Sequence, residues 1–359
     1  MEVHVIRLHL KSGLHAGRHG IGIEGSGHTL PADSIFAALV SQLALRDPAL
    51  VDALVSAFPY AINEEVVENS PPFLITSAFP FAGDVLFYPT PLCTGTRQQV
   101  QASAAVEIDK SLKKVAFLSQ SLFERVLGGE ALTSIAKSVV KLQGGLVWIS
   151  PEEVKTLPDM KRGSLKTQNL LWLTERRPRV AVDRTSNRSN IFYHRETFYR
   201  EGCGLWFGVT LLQPKHTIGG HPVLDLLMLL LQDLEIHGIG QLRSYGLGEF
   251  TRDAEPRQIT LPDATTETFV TLSRIAPAPA DLPRISDVRA AYRVVQVGGF
   301  ARSGQNTFAQ RNTLLMLNEG SILPADTRLC GQIVDVDSGQ LAHPVWRYGL
   351  AFPVGLVQA

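Results

Sequence analysis

The sequence predicts an α+β protein, and three observations carry that reading. Strand-like runs and apolar helices follow the order strand, helix, strand, then strand, helix, strand. Glycine and proline clusters punctuate the ends of those runs. The composition, 45% apolar and 19% charged, is that of a folded soluble chain. A length of 359 residues fits two domains, or one domain carrying a large insertion.

Val3 to Leu10 reads as a strand, with Ile6, Leu8 and Leu10 alternating against Arg7 and His9. A glycine- and histidine-rich loop follows, running from Gly13 past His15 to His28. A helix is predicted from about Asp33 to Leu45, because Ile35, Phe36, Leu39, Val40 and Leu43 share one face. Pro31 and Asp33 or Ser34 supply its start signals, with Asp33 expected to cap it for ~1 kcal/mol. Pro71-Pro72 opens an extended stretch with a bend, FLITSAFPF (73–81). The piece at 109–129 mixes a short strand with a helix ended by Gly128-Gly129, and reads as inserted. The segments 180–184, 190–200 and 204–212 are strand-like by their Val, Phe, Tyr, Trp and Thr content. Pro222 to Ile236 is an apolar helix stopping at Gly238, and Glu249-Phe250-Thr251 begins another strand. Without the insertion this is the βαββαβ order of a ferredoxin-like (RRM-like) unit. Its antiparallel sheet is expected to leave one face free for a ligand. Beyond residue 253 strand-like segments dominate again, as in 268–275, 291–300, 314–323 and 332–337. The expected division is therefore 1–252, including an insertion at about 90–190, and a smaller α+β domain at 253–359.

No apolar run approaches the ~20 residues of a membrane span. The alternating start is unlike a signal peptide, so a cytoplasmic location is expected. Cys93, Cys203 and Cys330 are widely spaced, which excludes a zinc knuckle or disulfide framework and leaves buried thiols as the expectation. The 34 basic and 34 acidic residues cancel, so the overall field does not capture nucleic acid. The distribution is uneven, however: residues 161–200 hold ten Lys/Arg against three acids. Such a stripe on a neutral chain fits RNA held on one face.

Glycines at 238, 240, 246 and 248 enclose Gln241, Leu242, Arg243, Ser244 and Tyr245. Glycine lets backbone N–H groups approach a ligand, and successive N–H groups form a concave anion site. Arg243, Ser244 and Tyr245 add a cation, a hydroxyl and a stacking face, which together suit RNA. A dinucleotide fingerprint needs a strand before its glycines and a helix after; here the order is reversed. No phosphate loop of the G-x-x-x-x-G-K-[ST] type exists, so no nucleotide cofactor is expected. A plain helix stop with a tight turn accounts equally for the glycines taken alone.

GIGQLRSYGLGEF after an apolar helix resembles the glycine-rich loop of the RAMP superfamily, the RNA-binding proteins of CRISPR systems. HTLPADSIFAAL (28–39) is similar to the His-x-x-x-x-Asp-Ser/Thr-hydrophobic-Phe helix opening of one RAMP family. SAFPFAGDVLFYPTPL (77–92) and RVAVDRTSNRSNIFYHRETF (179–198) resemble further blocks of that family. GGFARSG (298–304), NEGSIL (318–323) and HPVWRYGLAF (343–352) resemble its C-terminal landmarks. Gln241-Leu242 departs from the small or basic pair frequent there. The family is the type III-A CRISPR (Csm) subunit that caps the 5′ tag of the guide RNA.

The resemblance implies two ferredoxin-like domains, no catalytic role, no cofactor and no metal. It implies docking on the large polymerase/cyclase-like subunit and on a backbone RAMP subunit, with a hairpin thumb near the guide RNA. The candidate RNA-binding residues are Gly238, Gly240, Arg243, Ser244, Tyr245, Gly246 and Gly248, with His15, His28, Ser34, Arg179, Arg184 and Arg188. Arg184 and Arg188 alternatively pair with Asp183 and Glu196. The competing class is a metal-independent guide-processing endoribonuclease using His15 or His28 as general base or acid. A third is an architectural protein whose basic stripe meets an acidic partner.

Overall fold

The computed structural model describes residues 1–17, 26–62, 65–67, 69–92, 112–158, 169–183, 185, 188–264, 267–302 and 308–357. The chain begins with β1 (Glu2–Leu10) and α1 (Ala32–Arg46). Next come β2 (Phe73–Ile75), β3 (Phe79–Ala82), β4 (Val85–Pro89) and β5 (Phe117–Ser119). They are followed by α2 (Gln120–Leu127), β6 (Val140–Leu142) and β7 (Val147–Ile149). A long hairpin, β8 (Trp172–Val182) and β9 (Ser189–Tyr199), leaves the sheet before β10 (Cys203–Leu211) returns to it. Then α3 (Val223–His237), β11 (Phe250–Arg252) and β12 (Arg257–Thr260) close this part.

The ten-stranded sheet runs β6-β7-β5-β4-β3-β10-β1-β11, with β2 also on β10 and β12 also on β1. Directly opposite residues in an antiparallel pair share a face. Ile6 with Phe207 and Leu8 with Leu205 therefore mark one face, and Arg7 with Trp206 the other. The second face was expected to stand open for a ligand; it is covered instead. Trp206 is fully buried beside Tyr88, ring centroids 4.9 Å apart, and Tyr88 stacks on Phe123 of α2 at 4.6 Å. The insertion causes this, because it brings an aromatic layer down where a bare RRM-like sheet would meet solvent. The β12 strand lies beyond the boundary expected at residue 252 yet pairs with β1, so the N-terminal sheet continues to Thr260.

The α1 helix buries Ile35, Phe36, Leu39 and Leu43 at helical spacing, as its sequence predicts. Its capping differs from expectation. Pro31 occupies the cap with no side-chain hydrogen bond, and Asp33 is buried inside the first turn. Arg347 donates to the Asp33 carboxylate from the far end of the chain. Proline fixes the φ the turn requires and frees Asp33 for that long-range ion pair. The α1 and α3 helices lie together, tied by Arg46 to Asp233 at 2.7 Å and His237 to Gln42 at 3.0 Å.

The C-terminal part contributes β13 (Thr268–Thr271), β14 (Val294–Val297), β15 (Leu314–Leu317), β16 (Ile322–Pro324) and β17 (Pro353–Leu356). Its three-stranded sheet is β16-β13-β17, and β14 pairs with β15. Tyr348 packs on Phe36 at 5.4 Å and on Phe58 at 6.2 Å, and its hydroxyl accepts the Ile75 N–H at 3.2 Å. Val270, Leu272, Phe352 and Val354 belong to the same apolar cluster as Val5 and Phe36, so one core runs through both parts. Cys203 and Cys330 are buried free thiols, whereas Cys93 lies outside the described residues. Among the described residues no helix is long and apolar enough to cross a membrane.

Candidate nucleic-acid interface

The glycine segment begins where α3 stops. Gly238 takes φ +74° and donates to the Leu234 carbonyl at 2.8 Å. The loop is anchored at its two ends by the backbone of 13–15. Gln241 N–H donates to the His15 carbonyl at 2.9 Å, and Gly248 N–H donates to the Gly13 carbonyl at 2.9 Å. The Ile239 N–H bond to Gly248 O, also 2.9 Å, closes the segment into a ring. Between those anchors Arg243–Tyr245 form one 3-10 turn, with Leu242 left-handed at φ +58° before it and Gly246 at φ +79° after it. Arg243, Ser244, Tyr245 and Gly246 all face solvent. Among the described residues the N–H groups of Arg243 and Ser244 have no backbone acceptor. The outer turn thus offers two free donors, a cation, a hydroxyl and a ring.

The glycines divide into two kinds. A Cβ at Gly248 would overlap the Ile239 carbonyl oxygen, and one at Gly240 would come within 3.0 Å of the His15 carbonyl. At Gly246 a Cβ would meet nothing within 4 Å. Gly248 serves the fold, while Gly246 faces open space.

The β8–β9 hairpin roots beside this loop. Leu14 bridges to Thr197, and His15, fully buried, hydrogen-bonds through Nδ1 to the Arg195 carbonyl at 2.7 Å. Cross-strand register puts Glu175 with Glu196, Arg177 with His194 and Arg179 with Phe192 on one face. Glu196, buried, receives His194 Nε2 at 2.6 Å and stands 3.4 Å from Arg177 and 3.6 Å from Arg179. The Arg179 guanidinium lies 5.6 Å over the Tyr245 ring, so the hairpin and the glycine loop meet through a cation–π contact. The opposite face carries Val180, Val182 and Ile191, all more than half exposed, and Tyr193, over which Arg176 lies at 3.9 Å.

The candidates therefore separate. The glycine loop, His15 and Arg179 come together. His28 does not reach the loop: it stacks on Trp172 at 4.7 Å, and its carbonyl accepts the Tyr199 hydroxyl at 2.5 Å, which fixes the hairpin base. Ser34 stands exposed in the first turn of α1, and Arg188 is exposed near the hairpin tip. No hydrogen bond or ring contact joins either to the loop among the described residues. Arg184 lies outside the described residues, as do Lys161, Arg162 and Lys166 of the basic stripe. The ion pair considered between Arg188 and Glu196 does not form; Glu196 takes Arg177, Arg179 and His194 instead. Alternation along a hairpin, which pairs Arg177 with His194 at a fixed distance from the turn, is the signal that would have found this cluster. Among the described residues no group of three His, Cys, Asp or Glu could hold a metal ion.

Comparison with known proteins adds a likeness to Csm4. Residues 264–356 match the model of the CRISPR Csm4 C-terminal domain. The chain is 26% identical over 336 residues to the "CRISPR system Cms protein Csm4" of Thermococcus onnurineus (strain NA1), covering 90% of this chain and 91% of that one. A chain of the Csm3-Csm4 subcomplex in the type III-A CRISPR-Cas interference complex superposes with a TM-score of 0.63 at 16% identity, over 99% of this chain and 100% of the other. A chain of the Csm1-Csm4 cassette in complex with cA4 gives 0.56 at 20%, over 100% and 99%. At such identities the structures establish the shared fold, and the domain match and the full-length relative show what the chain is similar to. Residues 264–356 thus match a Csm4 C-terminal domain, and the chain is similar to a Csm4 protein over nearly its whole length.

Proposed function

We propose that this chain is the RNA-holding, non-catalytic subunit of a type III-A CRISPR effector, gripping the 5′ repeat-derived tag of the guide RNA. It would bridge the large polymerase/cyclase-like subunit to the backbone RAMP subunits, as the Csm1-Csm4 and Csm3-Csm4 assemblies of its relatives join those proteins. The observation that carries the RNA contact is the exposed 243–246 turn, set against the arginine face of the β8–β9 hairpin. Gly246, Arg243, Ser244, Tyr245 and Arg179 form its centre. Gly238, Gly240, Gly248 and His15 hold the loop's shape, His28 sets the hairpin base, and Ser34, Arg184 and Arg188 are outlying contacts. A cytoplasmic location belongs to the same proposal.

Two ferredoxin-like units are part of this reading. The order β2/β3-β10-β1-β11/β12, with helices after the first and third of these strands in the chain, supports it for the N-terminal part. The Csm4 C-terminal domain match, beginning at residue 264, supports a division close to Thr260, just past the one expected from sequence.

The endoribonuclease reading asks His15 to exchange a proton with RNA. That ring is fully buried with Nδ1 engaged by a backbone carbonyl, which argues for a positioning role. The test is purification of the assembled effector. Guide RNA with a defined 5′ end is expected in it, and should be depleted when Gly246 is replaced by Gln. Full retention in that variant would overturn the loop's role, and cleavage of repeat RNA by the isolated chain in EDTA would overturn the non-catalytic one.

A further inference from the structure

At the root of the β8–β9 hairpin lies a carboxylate that contact with RNA would not by itself require. Glu196 is 2% exposed, enclosed between the hairpin and the 13–15 backbone that anchors the glycine loop. A Cβ at Gly13 would stand 2.8 Å from Glu196 Oε2, so that backbone passes directly against the carboxylate. The two oxygens face different arginines. Oε1 stands 3.6 Å from Arg179 Nη2, and Oε2 stands 3.4 Å from Arg177 Nε. His194 Nε2, also buried, lies 2.6 Å from Oε1 and fixes how the carboxylate is turned.

Charge explains why an acid stands here. Arg177 and Arg179 are two residues apart on one strand and share the face that Glu196 and His194 occupy. Like charges so placed repel each other. A guanidinium free to swing loses rotamer freedom when it binds a ligand, whereas one already held in place does not. Among the described residues Glu196 is the one carboxylate within 4 Å of Arg179, whose Nε is buried without a hydrogen-bond partner. Arg179 in turn lies 5.6 Å over Tyr245, in the outer turn of the glycine loop. Contact therefore runs from His194 through Glu196 and Arg179 to Tyr245, with all three hairpin residues on one face.

We propose that Glu196 is a positioning residue for RNA, fixing the Arg179 guanidinium over Tyr245 at the 243–246 turn without touching the RNA itself. This deepens the RNA-holding reading and rests on it. Charge alone predicts the opposite sign. Removing a carboxylate beside bound RNA makes the site more positive, which by field alone strengthens binding. Loss of positioning weakens it.

The test titrates the full chain with labelled single-stranded RNA. Glu196→Gln, close in volume, should weaken binding about tenfold although it removes a negative charge. In an Arg179→Gln background the same substitution should change affinity by less than about twofold, because the guanidinium it places is gone. Unchanged or tighter binding by Glu196→Gln, or an equal loss in both backgrounds, would overturn the positioning role and leave RNA holding intact. If Glu196→Gln does not fold, nitrogen-15 relaxation of the arginine side chains in the native chain decides. Arg179 should be ordered where exposed Arg188 is mobile, and equal mobility would overturn the positioning role. A native chain that binds no RNA would overturn the functional reading with it.

Discussion

Gly246 and Gly248 sit two residues apart in the same left-handed region, at φ +79° and +80°, yet their surroundings differ. An L side chain in that region costs roughly 1–2 kcal/mol wherever it stands. Gly248→Ala adds an overlap with the Ile239 carbonyl, and overpacking of that kind costs about 1–3 kcal/mol more. Gly246→Ala meets open space. Urea denaturation should therefore show Gly248→Ala less stable than Gly246→Ala by about 2 kcal/mol; equal losses would show that the ring closed by residues 239 and 248 is loose. A test of RNA binding thus belongs at Gly246, because a loss at Gly248 mixes fold with function. Sequence made the four glycines visible and gave no means of sorting them: the sorting depends on the backbone of 13–15, more than 220 residues away. The same limit hid the Asp33 ion pair, since a lone acid at a helix start has the same sequence whether it caps the helix or reaches across the core.

At the scale of elements, the insertion and the hairpin show how much pattern can convey. Alternation in NIFYHRETFYR disclosed a strand, whereas its partner, expected at 180–184, runs from Trp172 to Val182. The covered sheet face was not legible, because Trp206 packs on Tyr88, and Tyr88 on Phe123, which the insertion supplies rather than the βαββαβ frame. That insertion is pinned by one carboxylate. Glu153 accepts from the Ser121 N–H at 3.0 Å and hydroxyl at 2.6 Å, from Ser150 at 2.8 Å and from Ser119, joining β5, α2 and the turn after β7. Burial pushes its carboxyl up, and the bonds from Ser119, Ser121 and Ser150 outweigh that, leaving it below the ordinary value of 4.5. A depressed carboxyl stabilises the fold above that value and loses the contribution as the pH falls below it. Glu153→Gln should cost about 2 kcal/mol at neutral pH, with the gap to the native chain closing on acidification; a pH-independent gap would mean that the charge is not what the serines bind. The hairpin tip behaves oppositely. Val180, Val182 and Ile191 are exposed, so replacing 180–191 with an Asn-Gly turn should move the melting midpoint by no more than about 2 °C. RNA affinity should then lose salt dependence, with the slope falling by about 1.4 for the two arginines removed, Arg184 and Arg188.

For the molecule as a whole, the decisive feature is that the two parts are joined by a charge as well as by a core. Tyr348 fills the space between Phe36 and Phe58, and Arg347, one residue earlier, reaches Asp33 in the first turn of α1. Both ionic partners are almost completely buried, so neither can turn to water when the other is lost. Removing Arg347 leaves Asp33 only the longer 3.8 Å contact with Arg274, and breaking such a buried pair costs about 3–5 kcal/mol, whereas replacing both with apolar groups of similar volume can be neutral. Arg347→Met should therefore destabilise the whole chain by that amount, as one cooperative urea transition read alike by fluorescence and circular dichroism. Arg347→Met combined with Asp33→Leu should recover most of the loss, because the buried carboxylate that lost its close partner is then gone while Arg274 keeps Glu319 at 3.4 Å. A fragment ending at residue 252 would expose Phe36, Phe58 and Asp33 together and lose β12 from the edge of the sheet, so it should not reach a folded soluble state. Two separate transitions in the native chain, or a stable 1–252 fragment, would show the parts to be independent domains in contact; a single transition with rescue by the double variant makes Asp33 and Arg347 the lock between them.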